Sequence, residues 1–210
     1  MTADTGMPRG GEVPQDDLSA RGRQLRDTAR DLIADNGLRA LKVRDVAAAA
    51  GCAVGSVYLE FSDLDGLVLA VSRQTVGALH AVMAAITAPD PARHLHALGA
   101  AYLDFAAAHP NLLRALFEHR MEGDRPFPQD LLDRVQETFA LLYPPLAALL
   151  PAAPADEVAL LARTMFSAVH GIVSLGLEDR LIAVPAPLLR QQVAQLVDVY
   201  VGALGRTHRH

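Results

Sequence analysis

The eleven residues from Gly51 to Phe61 constrain this fold more than any other stretch of the chain. They read Gly-Cys-Ala-Val-Gly-Ser-Val-Tyr-Leu-Glu-Phe. A short Ala-rich helical segment, about Val43 to Ala49, precedes them, and a long amphipathic one follows. Gly51 supplies the left-handed backbone of a tight turn. The segment from about Val54 to Glu60 is then a short helix with a second glycine, Gly55, and an outward tyrosine, Tyr58. Two helices joined this way form a helix-turn-helix, which presents its second helix to a DNA groove. Gly55 removes a side chain from that face and allows close approach.

Helical periodicity extends through the rest of the chain. A first helix is predicted over about Ser19 to Asp35, with Leu25, Ala29, Leu32 and Ile33 on one face and Gly37 at its C-cap. Ser62, with Asp65 as capping-box partner, starts a long fourth helix that runs to about Ala88. Its inward residues are Leu67, Val68, Val71, Leu79, Val82, Met83 and Ile86. After the break at Pro89-Asp90-Pro91, helices are expected over about Ala92–Ala108, Asn111–His119, Gln129–Leu142 (extending toward Leu150), Ala155–Leu175 and Pro187–Leu204. Strand-like alternation of β-branched and aromatic residues is absent, so the fold class is all-α with about nine helices. The expected organisation is an arm over 1–18, a three-helix head over 19–66 and a helical body over 67–205. The long fourth helix fuses head to body.

Charge and composition narrow the function. The chain has 210 residues, 51% of them hydrophobic, and a net charge of −5. Any nucleic-acid surface is therefore local. Cys52 is the single cysteine, which excludes an intrachain disulfide and a thiolate metal cluster and fits a cytoplasmic protein. The Gly- and Pro-rich start lacks the pattern of a signal peptide. No segment reads as a membrane span; the nearest, Val169 to Leu177, is short and contains His170 and two glycines.

The first three helices are similar to the DNA-binding part of the tetracycline-repressor-like (TetR) family. The matching residues are Gly37, Val43-Arg44-Asp45-Val46-Ala47, Ala50-Gly51, Gly55-Ser56-Val57-Tyr58, Phe61 and Leu67, at matching spacing over about 50 residues. Ser167 to Val173 also resembles a stretch in the last-but-one helix of many members. Val46, Ala47, Val57, Phe61 and Leu67 read as core. The DNA-facing candidates are Lys42, Val43, Arg44, Ala53, Val54, Gly55, Ser56 and Tyr58. The resemblance implies that Tyr58 bonds a phosphate; its other reading is an ordinary boundary tyrosine. Val54, first on the reading helix, is placed to touch a thymine methyl, and Lys42 and Arg44 to take phosphate or a base edge. The chain departs from the family at Lys42 (usually Thr or Ser), Ala53 (Ser), Glu60 (His) and Leu64 (Lys). Ala53 lacks a capping hydroxyl, Glu60 brings a negative charge and Leu64 removes a cation. Seven basic and seven acidic residues between 19 and 66 leave the head neutral, with four arginines on the first helix as its candidate positive face.

For the body, the resemblance implies a homodimer through the last two helices, which lets two heads read a near-palindromic operator in double-stranded DNA. The stripe Leu189, Val193, Leu196, Val197, Tyr200, Val201 and Leu204 is wide enough for core and partner, and Gly171 and Gly176 allow close helix approach. Candidate residues for a pocket among the middle helices are Tyr102, Phe105, Phe117, Met121, Phe139, Tyr143, Met165, Phe166 and His170. Plain core packing is the competing role of each. As a group they suit a small apolar effector. No cofactor is expected. His80, His94 and His96 are a conceivable metal set, but no acidic residue completes the spacing. No phosphate loop, nucleophile elbow or carboxylate pair suggests an enzyme. The reading is a ligand-responsive transcriptional regulator, a repressor by preference. Its alternative is a small-molecule- or partner-binding helical protein with a weakened DNA-binding head.

Overall fold

The computed structural model describes residues 18–178 and 184–207. The arm expected over residues 1–18 therefore falls, up to residue 17, outside the described residues, as do His208 and His210. Leu18 is buried against the head.

Among the described residues the chain forms ten α-helices and no strand. The head comprises α1 (Ala20–Asn36), α2 (Val43–Ala49) and α3 (Val54–Phe61). The long α4 (Leu64–Ala84) leads into α5 (Pro91–Ala108), α6 (Pro110–Glu118), α7 (Gln129–Ala140), α8 (Tyr143–Leu149), α9 (Ala155–Gly176) and α10 (Ala186–Thr207). The helix expected over Gln129–Leu142 stops at Ala140, and α8 is the additional element. Pro144 and Pro145 follow at its first turn, where a missing N–H costs nothing.

Two ends differ from the sequence reading. Ser62 does not cap α4. It takes φ 63°, and Asp63 caps instead, accepting a hydrogen bond from the Gly66 N–H at 2.7 Å. The carboxylate is a strong acceptor at a positive helix terminus, while Ser62 is consumed by the reversal between α3 and α4. The C-terminal end of α4 comes at Ala84 rather than Ala88, ahead of Pro89. Gly37 (φ 76°) closes α1 by donating its N–H to the Ile33 carbonyl, and Gly51 (φ 65°) makes the α2–α3 turn as expected.

Helix α4 is the spine. Its Leu67, Val68 and Val71 join Leu25, Ile33, Val46, Val57 and Phe61 in the head core. Its Leu79 and Met83 join the body core with Leu95, Leu98, Tyr102, Leu146 and Val193. Leu69 and Val76 meet Leu131 of α7 in a third cluster. Leu112 and Ala115 of α6 also enter the head core, so head and body share apolar packing on two helices. Val82 faces outward instead of inward.

By length and composition α4 and α9 are each apolar enough to cross a membrane, which the sequence reading did not foresee. For α4 the reason is burial: it packs against head and body at once. Helix α9 buries one face, including Met165, Val169 and Val173, and leaves Leu160 and Leu175 exposed. Gly176 permits close approach: a Cβ there would meet Leu189 Cδ1 at 2.4 Å, whereas one at Gly171 would meet nothing within 4 Å.

Candidate nucleic-acid interface and effector cavity

Helix α3 buries Val57 and Phe61 in the head core and turns the opposite face outward. That face carries Ala53, Val54, Gly55, Tyr58 and Leu59. Val54 is 40% exposed, Tyr58 50% and Leu59 89%. Leu59 was not among the residues singled out from sequence; its position one residue after Tyr58, facing away from Val57, was the available signal. Ala53 stands at the α3 N-cap and, lacking a hydroxyl, makes no side-chain capping bond. Lys42 occupies the α2 N-cap, also without one. Lys42 and Arg44 are exposed, Val43 and Ser56 half-buried. Arg44 lies 3.5 Å from Asp45.

Two features reshape the electrostatics expected of the head. Glu60 does not project with the outward face. Its carboxylate accepts a hydrogen bond from Ser19 Oγ at 2.7 Å, and its second oxygen lies over Gly22 in the first turn of α1. Ser19 itself caps α1 by accepting from the Gly22 N–H. The negative charge is thus set against a helix N-terminus, where the backbone dipole favours it. The first-helix arginines also divide. Arg26 is buried and paired with Asp27 at 2.9 Å, and Arg30 with Asp31 at 2.8 Å. Arg21 and Arg23 remain exposed. The positive face of α1 is therefore two arginines rather than four.

In the body, helices α4, α5, α6, α7 and α9 surround a cavity of about 230 Å³. Its wall is almost wholly apolar, with Ser72 and Thr138 as the exceptions. Tyr102, Phe117, Phe139 and Phe166 line it. Phe166 is the centre of an aromatic group, with Phe139 edge-on at 4.6 Å and Tyr102 at 5.3 Å. Met165 lines a narrow recess of about 20 Å³ next to it. His170 lines a separate, more polar groove of about 260 Å³, whose wall shares Leu113 and Phe117 with the cavity. Phe105, Met121 and Tyr143 line none of these three recesses. Phe105 packs on His109, Met121 on the cluster around Leu131, and Tyr143 on the body core. The cavity residues that sequence reasoning missed are mostly aliphatic: Val76, Leu79 and Met83 of α4, and Leu131, Leu132 and Val135 of α7.

Tyr102 and His170 form one polar link beside the cavity, with Tyr102 Oη 2.6 Å from His170 Nδ1. Burial pushes the tyrosine hydroxyl well above its usual range and the histidine below its own, so both are neutral near pH 7. The phenol therefore donates and Nδ1 accepts.

A polar clasp ties the cavity to the α3–α4 reversal. Arg125, between α6 and α7, donates to Asp63 Oδ2 at 3.0 Å and to Asp65 Oδ2 at 2.7 Å. The Glu122 N–H also donates to Asp65 Oδ2. His119 packs edge-on against Phe127, a cavity residue, and its Nε2 lies 3.5 Å from Asp65 Oδ1. Burial holds His119 below the ordinary histidine value, outweighing the opposing pull of Asp65 and Asp63. Further along α4, Arg73 makes a two-pronged pair with Asp130 of α7, at 2.6 and 3.0 Å. The conceivable metal histidines have other neighbours: His96 bonds Asp198 at 2.9 Å, and His80 faces Thr138.

Comparison with known proteins accounts for both parts. Residues 25–71 match the family described as bacterial regulatory proteins, tetR family. Residues 95–204, more than half of the chain, match the tetracyclin repressor-like C-terminal domain. No curated protein matches in sequence. Similar solved structures include a tetR-family transcriptional regulator from Streptomyces coelicolor, 20% identical with TM-score 0.65, covering 89% of each chain. A transcriptional regulator from Rhodococcus sp. RHA1 is 23% identical with TM-score 0.65, covering 89% of this chain and 96% of its own. The fatty acid degradation regulator FadR of Bacillus halodurans is 20% identical with TM-score 0.58, covering 89% of this chain and 97% of its own. At such identities the likeness to these structures is one of fold. With a helix-turn-helix head and a helical body each matched by the corresponding family domain, the chain belongs to the tetR family of bacterial regulatory proteins, DNA-binding regulators of transcription.

Proposed function

We propose that this protein is a homodimeric repressor released from its operator by a small, uncharged, apolar effector. The reading rests on one observation: the apolar cavity shares its α4 wall with the helix that carries the head, and its Phe127 side abuts the clasp on Asp63 and Asp65. An effector that favours a different α7 position acts on head spacing through these ties, a population shift between two arrangements. The cavity, at about 230 Å³, lies just below the usual range for drug-sized ligands and suits a compact one. Tyr102, Phe117, Phe139 and Phe166 are its proposed contacts. Met165 and His170 adjoin it, while Phe105, Met121 and Tyr143 pack in the apolar clusters next to it.

In this reading the head spans 19–66, the body 67–205 and the arm 1–18. The DNA contacts are Lys42, Val43, Arg44, Ala53, Val54, Gly55, Ser56 and Tyr58. The dimer forms through α9 and α10, where Leu160, Leu175, Leu188 and Val199 are exposed. The protein acts in the cytoplasm. The test is fluorescence anisotropy on a selected duplex, titrated with compact apolar compounds. Release of DNA by a compound whose own binding is lost in a cavity-filling variant supports the reading. Compounds that bind the cavity and leave duplex affinity unchanged contradict it.

The second reading, a helical binding protein with a weakened head, draws on the uncapped α3 N-terminus at Ala53 and the internally paired Arg26 and Arg30. Under it, Glu60→His with Leu64→Lys creates duplex binding that the parent lacks. Tight binding by the parent removes it.

A further inference from the structure

The outward face of α3 is unusually poor in hydrogen-bonding groups for a reading helix. Its eight residues, Val54 to Phe61, contain no Arg, Lys, Asn or Gln, the side chains that make two-pronged bonds to guanine or adenine edges. Glu60, the one carboxylate of the helix and its strongest acceptor for a cytosine amine, is turned back onto Ser19. Ser56 is half-buried, and Tyr58 offers a single hydroxyl. What projects furthest is Leu59, 89% exposed, with Val54, 40% exposed, about 1.4 turns before it. Gly55 lies between them in the sequence, and a Cβ there would meet nothing within 4 Å, so the backbone presents no obstacle to a groove floor. An exposed leucine on a helix that buries its other side is unexplained by the fold of the head.

We infer that Val54 and Leu59 read the operator through the C5-methyl groups of thymines in the major groove, so that specificity rests on apolar contact rather than on hydrogen bonds to base edges. The inference deepens the DNA-binding reading and rests on it. The methyl is the one apolar feature a base pair shows in that groove. Val54 and Leu59 are separated by about 7.5 Å along the helix axis and about 140° around it, so they reach different points of the groove. Each half-site therefore carries two separate thymines, on either strand. Lys42, Arg44, Tyr58 and the exposed Arg21 and Arg23 supply phosphate contacts, which hold position without reading sequence.

The experiment replaces each thymine of the selected duplex, one at a time, by deoxyuridine. This removes the methyl and keeps every pairing group. Affinity is measured by anisotropy with the full chain at constant salt. The expected result is a loss of about fourfold at each of two positions per half-site and no change elsewhere, the loss matching burial of one methyl. Leu59→Ala abolishes the penalty at one of those positions, and Val54→Ala at the other. Both side chains are solvent-exposed, and a melting curve confirms that the variants fold. Equal affinity for every uracil-substituted duplex overturns the inference, as does a penalty that persists undiminished in both variants. Failure of the parent to bind any duplex at low salt overturns the DNA-binding reading itself, a result distinct from binding that ignores the methyl.

Discussion

Asp130→Ala tests the tie between the cavity wall and the helix that carries the head. Arg73 has only 9% of its side chain exposed and directs Nε and Nη2 at the two carboxylate oxygens of Asp130, which is 52% exposed. Arg73 also holds the Asp130 carboxyl below the usual carboxylate range by its hydrogen bonds. Removing one partner of a fully buried pair costs about 3–5 kcal/mol, because the other charge is left buried and unpaired. An exposed pair is worth about 0.2–1 kcal/mol. Here one partner is buried and water reaches the other, so the expected cost is between these limits, about 1–2 kcal/mol. For a chain of this size that lowers Tm by about 2–8 °C at fixed protein concentration. Arg73→Met removes the cation and keeps most of the volume, so it costs less, under about 1 kcal/mol. Asp130→Ala in the Arg73→Met background adds almost nothing. Thermal melts of the four proteins measure the cycle. The reasoning is refuted if Asp130→Ala is as stable as the parent, or if its cost survives in the Arg73→Met background.

Three further outcomes follow from the same geometry. Glu60→Gln keeps an acceptor for Ser19 but removes a charge near the DNA-facing surface; duplex affinity rises severalfold at low salt, and a fall in affinity in anisotropy titrations contradicts the placement of Glu60. His119 and His170 are both held below 6.5 by burial, so below that pH the unfolded chain binds more protons than the folded one, and stability falls as pH drops through 6.5 toward the folded values. Urea midpoints between about pH 7 and pH 5 decline less steeply in His119→Gln and in His170→Gln, and an unchanged slope in the double variant refutes the assignment. Val135→Phe fills cavity space from a half-buried position on α7; uptake of an apolar fluorescent probe drops tenfold or more while Tm changes little, and undiminished uptake shows that the probe binds elsewhere.

How much of this was legible in the sequence depended on the range of the interactions involved. The turns at Gly37 and Gly51 and the core positions Val46, Val57 and Phe61 were readable because they follow from local backbone conformation and helical spacing. The α4 cap was misassigned by one residue because Ser-x-x-Asp fits a capping box on paper. Which residue spends itself on the reversal is decided by how α3 packs on α4. The cavity was harder. Aromatic residues on α5 to α9 look alike whether they face space or core, and the choice depends on how the helices are rotated against one another. Phe139 and Phe166 meet at the cavity while Phe105 and Tyr143 do not. Of the aliphatic wall from α4, Leu79 and Met83 read as inward core, which they also join, and Val76 was not singled out. Glu60 read as a liability on the DNA side because its partner, Ser19, lies 41 residues earlier. The clasp of Arg125 on Asp63 and Asp65 was invisible for the same reason, spanning 62 and 60 residues.

In the proposed mode of action, two α3 helices held by one dimer recognise a two-fold sequence in double-stranded DNA. Binding-site selection from a random duplex pool, with the full chain at low salt, is the decisive measurement. The expected result is enrichment of a near-palindrome whose half-site centres lie about 10 base pairs apart or a multiple of that. A folded, dimeric protein that enriches no sequence, or only a single asymmetric site, contradicts it.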